Sequence, residues 1–151
     1  MGKAKFVYVI YIDTTPEKAW SALLEWDMTR QYWLHDNVSD WKVGSRWEHR
    51  RTTGTPQVDI VGRVVEVAAP RRLVITWAFP QDEGHPSRHT RVTFDIEQVE
   101  SLVRLTVTHA DLEPGSEMER GITIGWPRVL SSLKTLLETG CPLDTWAGLQ
   151  R

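Results

Sequence analysis

The chain has 151 residues, and 18 Lys and Arg against 20 Asp and Glu leave a formal charge of −2. That balance argues against a nucleic-acid partner, which needs a clustered basic face; Arg46, Arg50 and Arg51 lie close together, but Glu48 interrupts them. The lone Cys141 excludes an internal disulfide and fits a reducing compartment. The opening MGKAKFVYVI lacks a signal segment and no run approaches a membrane span, so the expected location is cytoplasmic, without a membrane partner. Eight Trp stand against three Phe and three Tyr. Each indole carries an N–H that wants an acceptor, which suits half-polar cavities and interfaces.

The length is that of one domain, expected over residues 1–151 with a C-terminal tail at 141–151. Phe6 to Ile12 is β-branched and aromatic without a break and reads as a buried strand. Thr14-Thr15-Pro16 supplies a hydroxyl cap and an early-turn proline for a short helix with Ala19, Trp20, Leu23 and Leu24 on its apolar face. A second short helix is expected over Met28–Leu34, and a turn at Asp40–Gly44. Strands follow. Trp47, His49 and Arg51 alternate with Arg46, Glu48 and Arg50; Gln57–Val67 is a long strand with Gly62 as a bulge or bend; Arg72–Phe79 puts Leu73, Ile75, Trp77 and Phe79 on one face. Residues 80–89 have loop composition. Val92, Phe94 and Ile96, then Val103, Leu105, Val107 and His109, alternate with polar residues, as in an antiparallel sheet with one wet face.

The last element starts at a capping sequence, Ser116–Glu119, and stops at Gly140-Cys141-Pro142. Ile122, Trp126, Val129, Leu133, Leu136 and Leu137 form its apolar stripe. Pro127 removes the bond to the Thr123 carbonyl, and Gly121 and Gly125 weaken the same half. A bent, looser N-terminal half is the expectation.

Strand parity puts Trp47, His49, Trp77, Phe79, Phe94 and His109 on the concave face opposite Trp126. With Trp33 and Ile122 they form the expected lining of an internal cavity for a small hydrophobic or aromatic molecule. His109 and His49 are the candidate general bases. His35 beside Asp36 is a weaker acid–base pair. No Gly-x-Ser-x-Gly elbow, phosphate loop or dinucleotide fingerprint occurs, and His35, His49, His85, His89 and His109 lack metal-ligand spacing. No cofactor and no metal is expected.

Pro16-Glu17-Lys18-Ala19-Trp20-Ser21-Ala22-Leu23 resembles the P-E-x-V-W-x-A-L entry helix of the branch of the START-like (SRPBCC, birch-pollen-allergen) superfamily named for the activator of the heat-shock-protein-90 ATPase. Gly62–Val74 resembles its G-x-V-x-E-V-x-P-P-x-R-L-V hairpin. Leu105-Thr106-Val107-Thr108-His109 resembles its L-T-[VL]-T-H strand, and Gly125-Trp126-Pro127 with Leu133–Gly140 its closing helix. The resemblance covers residues 5–140, the expected core, and implies a single-domain, bacterial-type member. The implied fold is α+β helix-grip: a curved antiparallel sheet of six or seven strands around the long C-terminal helix, with two short helices between the first two strands. The leading expectation is a ligand-binding module rather than an enzyme. The alternatives are a cyclase- or hydrolase-like enzyme using His109 or His49, and a chaperone cofactor or stress-response interaction protein. A homodimer through the sheet edge or the Tyr32–Trp41 loop is a further expectation.

Overall fold

The structure, a computed structural model, describes residues 2–144; the end of the expected tail, 145–151 with Trp146, lies outside the described residues. In chain order come β1 (Ala4–Ile12), α1 (Pro16–Leu24), α2 (Trp26–Trp33), β2 (His35–Val38), β3 (Arg46–Arg51), β4 (Val58–Ala68), β5 (Arg72–Trp77), β6 (Thr90–Val99), β7 (Leu102–Leu112) and α3 (Glu117–Thr139). The strands make one seven-stranded antiparallel sheet in the order β1-β7-β6-β5-β4-β3-β2. This is the helix-grip arrangement, with two short helices after the first strand.

Local chemistry explains the boundaries. Thr15 caps α1, its Oγ1 accepting from the Lys18 N–H at 3.2 Å, with Pro16 as the first helical residue. Ser116 caps α3 by accepting from the Glu119 N–H at 3.1 Å. Gly140, at φ 87°, closes that helix with a bond to the Leu136 carbonyl. Between those caps α3 runs helical through Pro127 for 23 residues, about 35 Å. Its buried stripe of Ile122, Trp126, Val129, Leu130, Leu133 and Leu136 joins the inner faces of β6 and β7 in one core.

The structure departs from the sequence reading in places. β1 is an edge strand, not a buried one. Phe6, Tyr8 and Ile10 pack on the core, while Val7 and Val9 are 49% exposed and Tyr11 42% on the opposite face. Apolar residues fill both faces, so the sequence shows no period of two there. The second helix starts earlier than expected, at Trp26, and ends at Leu34 in the left-handed region (φ 58°), which lets β2 begin at once. Sequence reasoning did not find that four-residue strand. Residues 80–89 contain two short 3-10 turns rather than a plain loop.

Gly62 has a sharper role than a bend. It sits opposite Trp47 in the β3–β4 ladder. The Trp47 indole crosses over it and donates from Nε1 to the Thr76 carbonyl at 2.8 Å. A Cβ at Gly62 would collide with that carbonyl oxygen and with the indole nitrogen. Only glycine leaves room for this fully buried Trp to reach its acceptor. Gly62→Ala is therefore expected to destabilise the fold by about 1–3 kcal/mol, read in thermal unfolding as a melting temperature lower by roughly 3–10 °C.

Candidate functional site

The site grows from the short end of the sheet. β3 alternates, so Trp47, His49 and Arg51 share the inner face. β2 pairs antiparallel with it, setting Asn37 opposite His49 and His35 opposite Arg51. In the β3–β4 ladder the register shifts between His49 and Arg50, whose partners are Ile60 and Val58. Asp59 is the extra residue of that bulge. A bulge re-aims a side chain, and here Asp59 faces the same space as its neighbour Ile60.

Asp59 collects the polar groups. Arg51 donates to both carboxylate oxygens, at 2.9 and 3.0 Å, and Gln57 donates at 2.8 Å. His35 Nε2 lies 2.8 Å from Asp59 Oδ2, and its Nδ1 lies 2.9 Å from the Trp33 carbonyl. Both partners are acceptors, and they hold the ring in place from either side. Burial opposes an ionised Asp59, but the hydrogen bonds from Gln57, His35 and Arg51 outweigh it and hold its carboxyl below the usual range. The His35 ring stacks on His49 with centroids 3.8 Å apart and planes 2° from parallel. His49 Nδ1 lies 2.5 Å from Asn37 Oδ1, an acceptor, and therefore donates. Burial first, then repulsion from His35, pushes the His49 imidazole well below the ordinary histidine range, so it is neutral.

Against this polar rim stands a wall of indoles. Trp33 lies 5.4 Å from Trp126 and 6.1 Å from Trp77, and Trp77 lies 5.5 Å from Trp126 and 5.4 Å from Trp47, between ring centroids. Such pairs contribute about 0.5–1.5 kcal/mol each beyond area burial. The Trp77 indole N–H is buried with no partner among the described residues.

A cavity of about 450 Å³ opens between this wall, the rim and the first half of α3. Trp33, Ile60, Trp77, Phe79, Ile122 and Trp126 supply its apolar surface, and His35, His49, Arg51, Asp59 and Glu117 the polar one. Gly121 and Gly125 of α3 also line it, and a Cβ built on either meets nothing within 4 Å. The two glycines leave a notch where most residues would project a side chain.

Of the residues singled out from sequence, Trp33, His49, Trp77, Phe79, Ile122 and Trp126 line the cavity. Trp47, Phe94 and His109 do not, and their placement is corrected here. Their parity is inward, as expected, but each is buried against other side chains rather than at the cavity. Trp47 is spent on Thr76, and Phe94 sits edge-on to Trp126 at 5.8 Å. His109 is fully buried and its two nitrogens are occupied. Trp126 Nε1 donates to His109 Nδ1 at 3.0 Å. His109 Nε2 donates to Thr90 Oγ1 at 2.7 Å, and that hydroxyl donates to the Trp77 carbonyl at 2.7 Å. No nitrogen is left for a substrate, so His109 is no general base. Asp36 likewise leaves the site, since it pairs with Arg30 while Asp59 takes His35. Arg51 shares the parity of His49 and was legible; His35 was singled out but with Asp36 as its partner, and Asp59 was missed because the bulge carries no periodic signal.

A sheet gripping a long helix over a side-opening cavity defines the START-like, SRPBCC class. The family model for Activator of Hsp90 ATPase homolog 1-like protein matches residues 13–138, and the chain belongs to that family. No curated protein matches it in sequence. Among solved structures it is similar to the Aha1 dimer from Colwellia psychrerythraea, at 24% identity and a TM-score of 0.75 over 91% of this chain and 98% of that one. A Mesorhizobium loti protein follows at 23% and 0.74, covering 89% and 96%. An HSP90 activator from Plasmodium falciparum is 21% identical with a TM-score of 0.70, covering 88% and 95%.

The His109 relay sets a pH dependence of stability. Burial pushes the His109 imidazole down to about 3, whereas in the unfolded chain it titrates near ~6.5. The unfolded chain therefore binds the extra proton throughout that window. Stability is full above about pH 6.5 and falls toward pH 3 by up to ~1.4 kcal/mol per pH unit for this one group. Denaturant melts between pH 7 and 5, above the carboxylate range, should show the fall. His109→Leu should make it shallower, leaving the share of the buried His49, and should cost about 1–3 kcal/mol for each buried partner left unpaired.

Proposed function

We propose that the chain binds a small, largely apolar aromatic molecule in the cavity beneath the first half of α3. The observation that carries this reading is the cavity itself: about 450 Å³ of space walled by Trp33, Trp77, Phe79 and Trp126 with a few polar groups on one side. Ligand sites have this size and this mixture of surfaces. The cavity also lies where glycine, rather than a side chain, occupies the helix face.

Gly125→Phe tests the reading without disturbing the backbone. The new ring enters open space, and replacing glycine inside a helix favours the helical state by roughly 0.5–1 kcal/mol. Native mass spectrometry and melting shifts with a panel of aromatic compounds should show saturable binding to the wild type and none to Gly125→Phe. A wild-type chain that retains none of the panel would end the proposal.

The family favours a second reading, stimulation of an Hsp90-type chaperone. An activity carried by the surface would not depend on the cavity, so Gly125→Phe separates the two. In a chaperone ATPase assay the variant and the wild type are then equally active, whereas a cavity-based role leaves the rate at its basal value with both.

We infer further that a second copy pairs on the β1 edge. Among the described residues that strand has no neighbour beyond β7, and it exposes Val7, Val9 and Tyr11; the Colwellia psychrerythraea relative is described as a dimer. Unpaired apolar edges invite such pairing. Light scattering should give a dimer mass for the wild type and a monomer mass for Val9→Lys; a monomeric wild type refutes the inference.

A further inference from the structure

We propose that His49 is the recognition group of the cavity, accepting at Nε2 a hydrogen bond from a hydroxyl or N–H carried by a neutral aromatic ligand. This rests on the reading of the cavity as a binding site and goes further, to the chemical class taken and the atom that selects it.

The argument is an account of donors and acceptors. His49 Nδ1 is spent as a donor on Asn37 Oδ1. The neutral ring then presents a lone pair at Nε2, and that atom has no hydrogen-bond partner among the described residues. His49 is only 4% exposed and lines the cavity. Nε2 is nonetheless not among the fully enclosed unpaired atoms, which are Thr14 Oγ1 and Trp77 Nε1. The ring lines the cavity, so the cavity is the space from which a ligand donor would reach this acceptor.

The other polar groups narrow the class further. Arg51 and His35 both hydrogen-bond to Asp59, so each already has a carboxylate as partner. An anionic ligand entering here would lie beside the carboxylates of Asp59 and Glu117. A neutral donor on a planar ring meets a lone pair in the polar wall and indole faces elsewhere. Lining by Trp33, Trp77 and Trp126 favours a ring over a flexible chain, because aromatic pairs gain from stacked and edge-on contacts.

The test uses three probes of one shape: 2-naphthol, 2-methoxynaphthalene and 2-naphthoate, measured by equilibrium dialysis against the full chain. The naphthol should bind about tenfold more tightly than its methyl ether, since the ether leaves a desolvated acceptor unpaired. The naphthoate should bind no more tightly than the ether. In His49→Phe, which keeps a ring and loses the acceptor, naphthol and ether should become equal. The His49 Nε2 nitrogen resonance of labelled wild-type protein should move with naphthol and stay with the ether, a readout that needs no variant. Equal binding of naphthol and ether, tighter naphthoate, or a preference that survives His49→Phe overturns the role of His49 and leaves the cavity reading standing. Failure of all three probes to bind overturns both.

Discussion

The indole N–H of Trp126 governs how α3 sits on the sheet. A buried N–H must find an acceptor, and this one finds His109 Nδ1 on β7. That choice fixes the tautomer. His109 then donates from Nε2 to Thr90 on β6, and the Thr90 hydroxyl has one hydrogen, which goes to the Trp77 carbonyl at the end of β5. Helix and three strands are joined by a chain in which each bond sets the direction of the next. Breaking any link leaves a donor or acceptor stranded in the core. At about 1–3 kcal/mol per stranded group, against a total of about 5–15 kcal/mol for an ordinary domain, the relay is a large share of what holds the helix in place.

Once Trp126 is pinned, the two ends of the interior separate. Toward Phe94, His109 and the inner residues of β7, the side chains are buried in the core. Toward β2 and β3 the indoles of Trp33, Trp77 and Trp126 form a wall, and beyond it α3 carries Gly121 and Gly125. Each of those glycines costs the helix about 1 kcal/mol relative to alanine. Neither is required by close packing, because a Cβ at either would touch nothing. Pro127 adds a missing backbone bond in the same half. The helix is thus weakest in itself where it covers the cavity and best packed where it crosses the closed core.

Most of the fold was legible because β3, β5, β6, β7 and α3 each keep a clean period over many residues. Parity correctly turned Trp47, Phe94 and His109 inward. It had no means of telling a packed interior from a hollow one, since that depends on how far each ring reaches across the sheet. Trp47 reaches over Gly62 to another strand, and His109 is consumed by two partners distant in sequence. The polar rim was hidden for other reasons. β2 has four residues, too few to show alternation. Asp59 reaches the cavity through a bulge, which breaks the parity of the strand.

The rim itself is better understood as a device for setting charge than as a source of stability. Arg51 is 41% exposed at its side chain and Asp59 20%, and pairs open to water contribute little, about 0–1 kcal/mol. Their arrangement acts instead on His49. The His35 ring, held by Asp59 and the Trp33 carbonyl, lies flat on His49 at 3.8 Å. Burial first, and then repulsion from His35, keeps the His49 imidazole well below the ordinary histidine range. With Asn37 holding Nδ1, the neutral ring leaves Nε2 as the acceptor that the cavity offers.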